Sequence, residues 1–101
     1  MDKNRPFILI SNDDGYHSPG IRALVDMVSG IGDVLVCAPE AARSGYSCAF
    51  SAASPLRLKR RRSIGVADVW SCSGTPVDCV KLALDQFCSH RRPDLILGGI
   101  N

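Results

Sequence analysis

The chain has 101 residues, 46% of them hydrophobic, and a formal net charge of +2. This length fits one domain with a buried core, and the nearly balanced charge gives no reason to expect a nucleic acid polymer as a partner. No apolar run approaches the ~18 residues of a membrane span, and the apolar stretch at residues 7–10 is too short for a signal peptide. We therefore expect a cytoplasmic protein without membrane contact.

The five cysteines are odd in number, and no two of them have Cys-x-x-Cys spacing. Cys37, Cys72 and Cys79 lie in apolar surroundings. This pattern favours small buried side chains in a reducing compartment over disulfides or a zinc site.

The first half of the chain alternates a strand pattern with a helix pattern. Residues 7–11 form a continuous apolar run that predicts a buried strand, and residues 33–38 form a second one. Between them, Ser18-Pro19 predicts a helix start, apolar residues recur at helical spacing, and Gly30 and Gly32 end the helix.

The second half continues this alternation after a loop at residues 40–51. Residues 52–58 could be extended, the basic run 59–62 is expected to be a solvated loop, and residues 63–65 are expected to form a turn. Residues 66–72 predict a strand, Thr75-Pro76 a helix start, and residues 94–99 a last strand. The predicted buried stripe of this second helix consists of Val77, Val80, Leu84 and Phe87.

These elements predict an α/β fold, a Rossmann-like three-layer sandwich with a mostly parallel sheet. The last strand ends at the chain terminus without the covering helix that a parallel strand needs. We therefore expect the sheet to be incomplete at the C-terminus, and residues 1–101 to be the N-terminal part of a single domain. A piece of a longer protein and a truncated gene product are both consistent with this expectation.

Two neighbouring carboxylates, Asp13 and Asp14, directly follow the first strand. Gly15 permits the backbone turn that would let both side chains converge, and converging carboxylates need a cation such as Mg²⁺ or Mn²⁺. Because ligands of parallel sheets bind at the carboxyl ends of strands, Ser44 and Asn101 are candidates for further oxygen ligands. From the acidic pair alone, however, an ordinary turn and a metal site are about equally favoured.

Four blocks of this sequence together resemble the SurE family of stationary-phase survival proteins. They are residues 8–21 (ILISNDDGYHSPGI), 38–45 (APEAARSG), 73–83 (SGTPVDCVKLA) and 94–101 (DLILGGIN). The resemblance covers almost the whole chain but less than half of a typical family member.

The resemblance implies a metal-dependent 5′-nucleotidase acting on nucleoside monophosphates, with one Mg²⁺ or Mn²⁺ per subunit. It also implies 3′-monophosphates and short polyphosphate as further substrates, and a dimer or tetramer for the full-length protein. The implied metal ligands are Asp13, Asp14, Ser44 and Asn101. Asp13 and Asp14 are also the expected catalytic groups, with Asp13 slightly preferred as the group that accepts a proton from water. Asn12 and Gly45 are candidates for hydrogen bonds to the substrate.

Two departures from the family are visible: the short length, and Cys48 where many relatives carry histidine. Because of the short length, an inactive metal- or nucleotide-binding fragment remains an alternative interpretation. A receiver-like signalling domain also carries an acidic pair after its first strand, but it needs an aspartate at the end of its third strand. No aspartate lies between Asp33 and Asp68. A covalent aspartyl phosphatase is disfavoured because its Asp-x-Asp spacing is absent.

Overall fold

The computed structural model describes residues 5–40, 56–88 and 91–98. These residues form five strands and two helices. In chain order the elements are β1 (Phe7–Ser11), α1 (Pro19–Val28), β2 (Asp33–Pro39), β3 (Leu58–Ile64), β4 (Ala67–Cys72), α2 (Pro76–Phe87) and β5 (Leu95–Gly98).

The strands form one sheet in the order β3-β4-β2-β1-β5. All neighbouring strands run parallel except β3, which pairs antiparallel with β4 at one edge. Ile8 and Ile10 belong to the apolar cluster under α1, whereas Phe7 and Leu9 belong to the cluster under α2. The helices therefore cover opposite faces, which confirms the predicted three-layer α/β sandwich.

The strand β1 is buried throughout because it has a paired strand on each side and a helix on each face. The predicted helix starts are also confirmed. The Ser18 hydroxyl accepts a hydrogen bond from the Ile21 N–H at 3.3 Å. Thr75 and Asp78 form a capping box at the start of α2.

Of two predictions for the basic segment, the loop at residues 59–62 is wrong and the turn at residues 63–65 is right only at Gly65. Residues 59–62 lie in the edge strand β3, and the turn falls at residues 65–66, with Gly65 at φ +56°. The pairing of β3 with β4 imposes an extended backbone that the charge run alone does not indicate. The expected solvation holds for most of the run, since basic side chains are typical of an exposed sheet edge. Residues 52–55 of the segment expected to be extended lie outside the described residues.

The predicted buried stripe of α2 is also partly wrong. The fully buried residues are Cys79 and Ala83, whereas Val77 and Leu84 are exposed. Val80 and Phe87 are partly buried against the same cluster. Small side chains at positions 79 and 83 let the helix approach the sheet closely, so this face, and not the bulkier stripe, points inward.

Cys37, Cys72, Cys79 and Cys88 are free and buried, as predicted for the first three. Burial raises the pKa of the Cys72 and Cys88 thiols, which keeps them neutral and suits a packing role. Within the described part of the chain, neither helix combines the length and the apolarity needed to cross a bilayer.

Candidate functional site

The order in which the chain adds strands to the sheet reverses at β1. From β1 the order proceeds through β2 to β4, and the chain then returns to place β5 on the other side of β1. Residue Ser11 at the end of β1 lies opposite Gly98 at the end of β5. Ligands of open α/β sheets bind outside the carboxyl ends of strands at such a reversal. The structure thus places the loop that follows β1 at the position where a ligand is expected.

The loop after β1 is fixed from within by Asn12, which is 4% exposed. Its amide nitrogen donates to the Gly15 carbonyl at 3.1 Å and to the Ser18 hydroxyl at 2.8 Å. Its amide oxygen accepts from the Gly15 N–H at 3.1 Å. Asn12 therefore ties the end of β1 to the start of α1.

Two backbone features complete this turn. Gly15 adopts φ +111°, which a residue with a Cβ rarely does. The next residue, Tyr16, donates its N–H to the carbonyl of Pro39 at the end of β2, at 2.9 Å. The loop is thereby fastened to two neighbouring strands at their carboxyl ends.

Asp13 and Asp14 are the residues that this fastened turn presents. Both follow the end of β1 and are partly buried. Neither belongs to the strand, so the alternation of side chains between the two faces of a sheet does not force them apart. Carboxylate oxygens in this position are the donors that a hard divalent cation prefers.

A cavity of about 660 Å³ opens beside Asp13 on the α2 side of β1. Its walls near the strand end are Ser11, Asn12, Asp13 and Gly98, and Lys81 of α2 lines it as well. The Ser11 hydroxyl is buried and has no hydrogen-bond partner among the described residues. A buried hydroxyl without a partner is costly unless a ligand or water satisfies it, so the strand end offers one polar contact in a cavity whose other walls, among them Val77, Val80 and Ile96, are mainly apolar.

The structure brings three of the predicted site residues together, namely Asn12, Asp13 and Asp14. Ser44, Gly45 and Asn101 lie outside the described residues, as does Cys48. Within the described ranges, no group of three or more His, Cys, Asp or Glu side chains could by itself hold a metal ion. A metal at this position would thus depend on ligands beyond the acidic pair.

Sequence reasoning did not single out Ser11 or Lys81. Ser11 could have been found from the alternation of side chains along β1. Residues 7, 9 and 11 face the same side of a regular strand, which is the side that α2 covers. The signal for Lys81 needs the placement of α2 over β1 and β2, which no local pattern indicates.

Comparison with known proteins decides the family. The family model described as "Survival protein SurE" matches residues 8–101. The chain belongs to the SurE family. A protein named 5′-nucleotidase SurE from Bacteroides fragilis is 44% identical over 102 residues, which cover 100% of this chain and 39% of that protein. A protein of the same name from Porphyromonas gingivalis is 46% identical over 94 residues, covering 93% of this chain and 37% of that protein.

The solved structure of the SurE protein from Aquifex aeolicus is similar as well. It has a TM-score of 0.77 and 38% sequence identity, covering 95% of this chain and 38% of that one. The chain therefore shares the family fold but spans about two fifths of the length of its relatives. The receiver-like alternative is thereby set aside.

Proposed function

We propose that the protein carrying this chain is a metal-dependent phosphomonoesterase that hydrolyses nucleoside 5′-monophosphates. The observation that carries the proposal is the acidic pair, held by a fastened turn at the reversal point of the sheet. The relatives named 5′-nucleotidase SurE support the reaction class. Nucleoside 3′-monophosphates and short polyphosphate are further substrates under the same proposal.

The residues fit one Mg²⁺ or Mn²⁺ per subunit, because hard cations prefer oxygen donors and the acidic pair supplies them. Asp13 and Asp14 would hold it, with Ser44 and Asn101 as further ligands. When bound, such an ion lowers the pKa of a coordinated water and neutralises charge on phosphate oxygens.

The chain's own groups have separate roles in this proposal. Water attacks phosphorus, the phosphorus–oxygen ester bond breaks, and the nucleoside leaves as its alcohol with inorganic phosphate as the other product. Asp13 accepts the proton of the attacking water, and the departing nucleoside oxygen takes up one proton from solvent, so that no net proton is gained or lost in these two transfers. Gly45 is assigned to substrate binding. The amide of Asn12 is engaged with the loop, so we assign it the positioning of the acidic pair ahead of a direct substrate contact.

For the full-length protein we further propose a homo-oligomer, a dimer or a tetramer, located in the cytoplasm. Its partner is the nucleoside monophosphate substrate, not a nucleic acid polymer or a membrane.

The experiment measures phosphate release from AMP with Mn²⁺, with Mg²⁺ and with EDTA. It uses this chain and a version with the full length of its relatives. In the longer version, Asp13→Asn should lower activity by at least about a hundredfold, because several kcal/mol of charge stabilisation are lost. The matched control is Asp26→Asn on the exposed surface of α1, which should leave activity unchanged. Full activity of Asp13→Asn would refute the proposed site.

A second candidate is a metal- or nucleotide-binding fragment without turnover. The observation that favours it is the coverage, since the chain spans 39% of the Bacteroides fragilis protein. The same assay separates the two candidates. Binding of Mn²⁺ by this chain without phosphate release, beside an active longer version, would assign the fragment a binding role only.

A further inference from the structure

A second cavity lies on the other face of the sheet, between α1 and the β3–β4 edge. Its volume is about 330 Å³. Three arginines, Arg22, Arg61 and Arg62, line it together with Tyr16 and His17. Its volume falls at the lower end of small-molecule sites, and no lining residue among those described is acidic.

A β-bulge shapes this cavity. Arg61 pairs with Val69 and Ile64 pairs with Ala67, so one extra residue is inserted in β3 between these two pairs. The bulge lets Arg61 and Ile64 both face the α1 side although they are three positions apart, an odd spacing that in a regular strand places side chains on opposite faces. Bulges re-aim side chains, and here the result is that consecutive residues Arg61 and Arg62 line one cavity.

Arg61 is held in place by two contacts. Its Nε donates to the buried Ser71 hydroxyl at 2.8 Å, and its guanidinium lies 4.7 Å from the centre of the Tyr16 ring. Among the described residues, its two terminal nitrogens have no hydrogen-bond acceptor. The planar end of Arg61 is thus oriented before any ligand arrives, which lowers the entropic cost of binding.

The three arginines of the cavity form no ion pair among the described residues. The ion pairs among the described residues join Arg5 and Arg91 to Asp33, and Arg60 to Asp68. Clustered guanidinium groups repel one another, and an anion that bridges them relieves this repulsion through charge-assisted hydrogen bonds.

We infer that this cavity binds a small ligand with two or more linked phosphate groups. Arg22, Arg61 and Arg62 bind the phosphates, because the guanidinium fork matches phosphate oxygens in pairs. Guanidinium groups from both α1 and β3 line the cavity, so each of two linked phosphates can be bound by arginine. Neither Asp13 nor Asp14 lines this cavity, although Tyr16 and His17 follow them in the same turn.

The test is a calorimetric titration of the full chain with pyrophosphate, ADP and inorganic orthophosphate in EDTA. EDTA removes divalent metal, so phosphate groups have no cation that could bridge them to Asp13 and Asp14. Binding measured under these conditions therefore reports on the arginine cavity even if the proposed phosphatase function fails. Pyrophosphate should bind at least about tenfold more tightly than orthophosphate, because it adds charged hydrogen bonds. ADP binding as tightly as pyrophosphate would identify a nucleotide ligand, and markedly weaker ADP binding an inorganic one. Equal binding of orthophosphate and pyrophosphate would overturn the assignment.

Arg61→Gln and the double variant Arg22→Gln/Arg62→Gln should each weaken pyrophosphate binding about tenfold or more. The double variant decides the matter if Arg61→Gln fails to fold, since Arg22 and Arg62 are exposed. The matched control is Arg60→Gln, which changes the same residue type on the same strand. Arg60 pairs with Trp70 on the other face of the sheet and forms an ion pair with Asp68. Equal weakening by Arg60→Gln would show non-specific attraction and overturn the site.

Discussion

The helices α1 and α2 pack on opposite faces of one sheet, but they bury different shares of their apolar residues. In α1, Ile21, Leu24, Val25 and Val28 are all buried. In α2, Val77 is 62% exposed and Leu84 is 37% exposed. Ile96 of β5, which is 47% exposed and lines the same cavity as Val77, continues this exposed surface.

This difference shows where the described fold is closed and where it is open. On the α1 side the apolar stripe of the helix is buried, whereas Met27 and Leu95 stay exposed. On the other side, the outer surface of α2 and the edge of β5 leave large apolar side chains uncovered, and such contiguous surfaces mark places where protein packs against protein. The acidic pair lies between the two sides, at the end of the strand that both helices cover.

The largest expected effect comes from a deletion on the closed side. Ile21→Ala should lower the free energy of unfolding by about 2–5 kcal/mol, because it leaves a cavity in a fully buried cluster. The control on the open side is Leu84→Ala, which should cost less than half as much. Urea unfolding of both variants measures the difference, and equal losses would contradict the contrast between the two sides.

The closed side is also the part that the sequence predicts best. Continuous apolar runs and a capped helix with one apolar stripe are local patterns, and they locate β1, α1 and β2 nearly to the residue. The edge strand β3 is different, because its extended form depends on pairing with β4. The inward face of α2 depends on which residues permit close approach to the sheet, and periodicity alone favours the bulkier Val77 and Leu84.

In the candidate site, too, the features that depend on local sequence can be predicted, and those that depend on the folded structure cannot. Strand-end reasoning selects Asp13 and Asp14, because a turn after a parallel strand is readable from the sequence. It does not reveal that the amide of Asn12 is engaged with Gly15 and Ser18, since those hydrogen bonds depend on the folded turn. Nor does it reveal that Ser11 borders a cavity, which requires β5 and α2 in place.

A weaker effect is expected where the segment before β5 contacts the start of β2. Arg91, just before β5, donates to the Asp33 carboxylate at 2.9 Å and also to the carbonyl of Arg5. The hydrogen bond from Arg91 holds the pKa of Asp33 below its usual value of 3.8. A lowered pKa in the folded state means that this stabilisation is complete above the usual value and is lost as the pH falls through the folded value.

Asp33→Asn should therefore flatten the loss of stability as the pH falls below 3.8. Thermal unfolding over a series of acidic buffers measures this change. Asp68→Asn removes the more exposed carboxylate of the Arg60 ion pair and should change the acid dependence less. An unchanged acid dependence in Asp33→Asn would show that the Arg91 contact does not lower the pKa of Asp33 in the folded state.

The smallest effect on stability is expected for Val77 of α2, and it tests most directly whether further chain covers the exposed surface of this helix. Val77→Ala should change the free energy of unfolding by no more than about 0.5 kcal/mol, because its side chain is largely exposed. In a version with the full length of its relatives, the same change should cost about 1–2 kcal/mol, because burying each methylene-sized group is worth about 0.8 kcal/mol. The matched control is Val25→Ala on α1, whose side chain is already buried and should cost the same in both lengths. If Val77→Ala is equally mild in both, then the additional chain does not cover this surface, and its apolar residues need another partner.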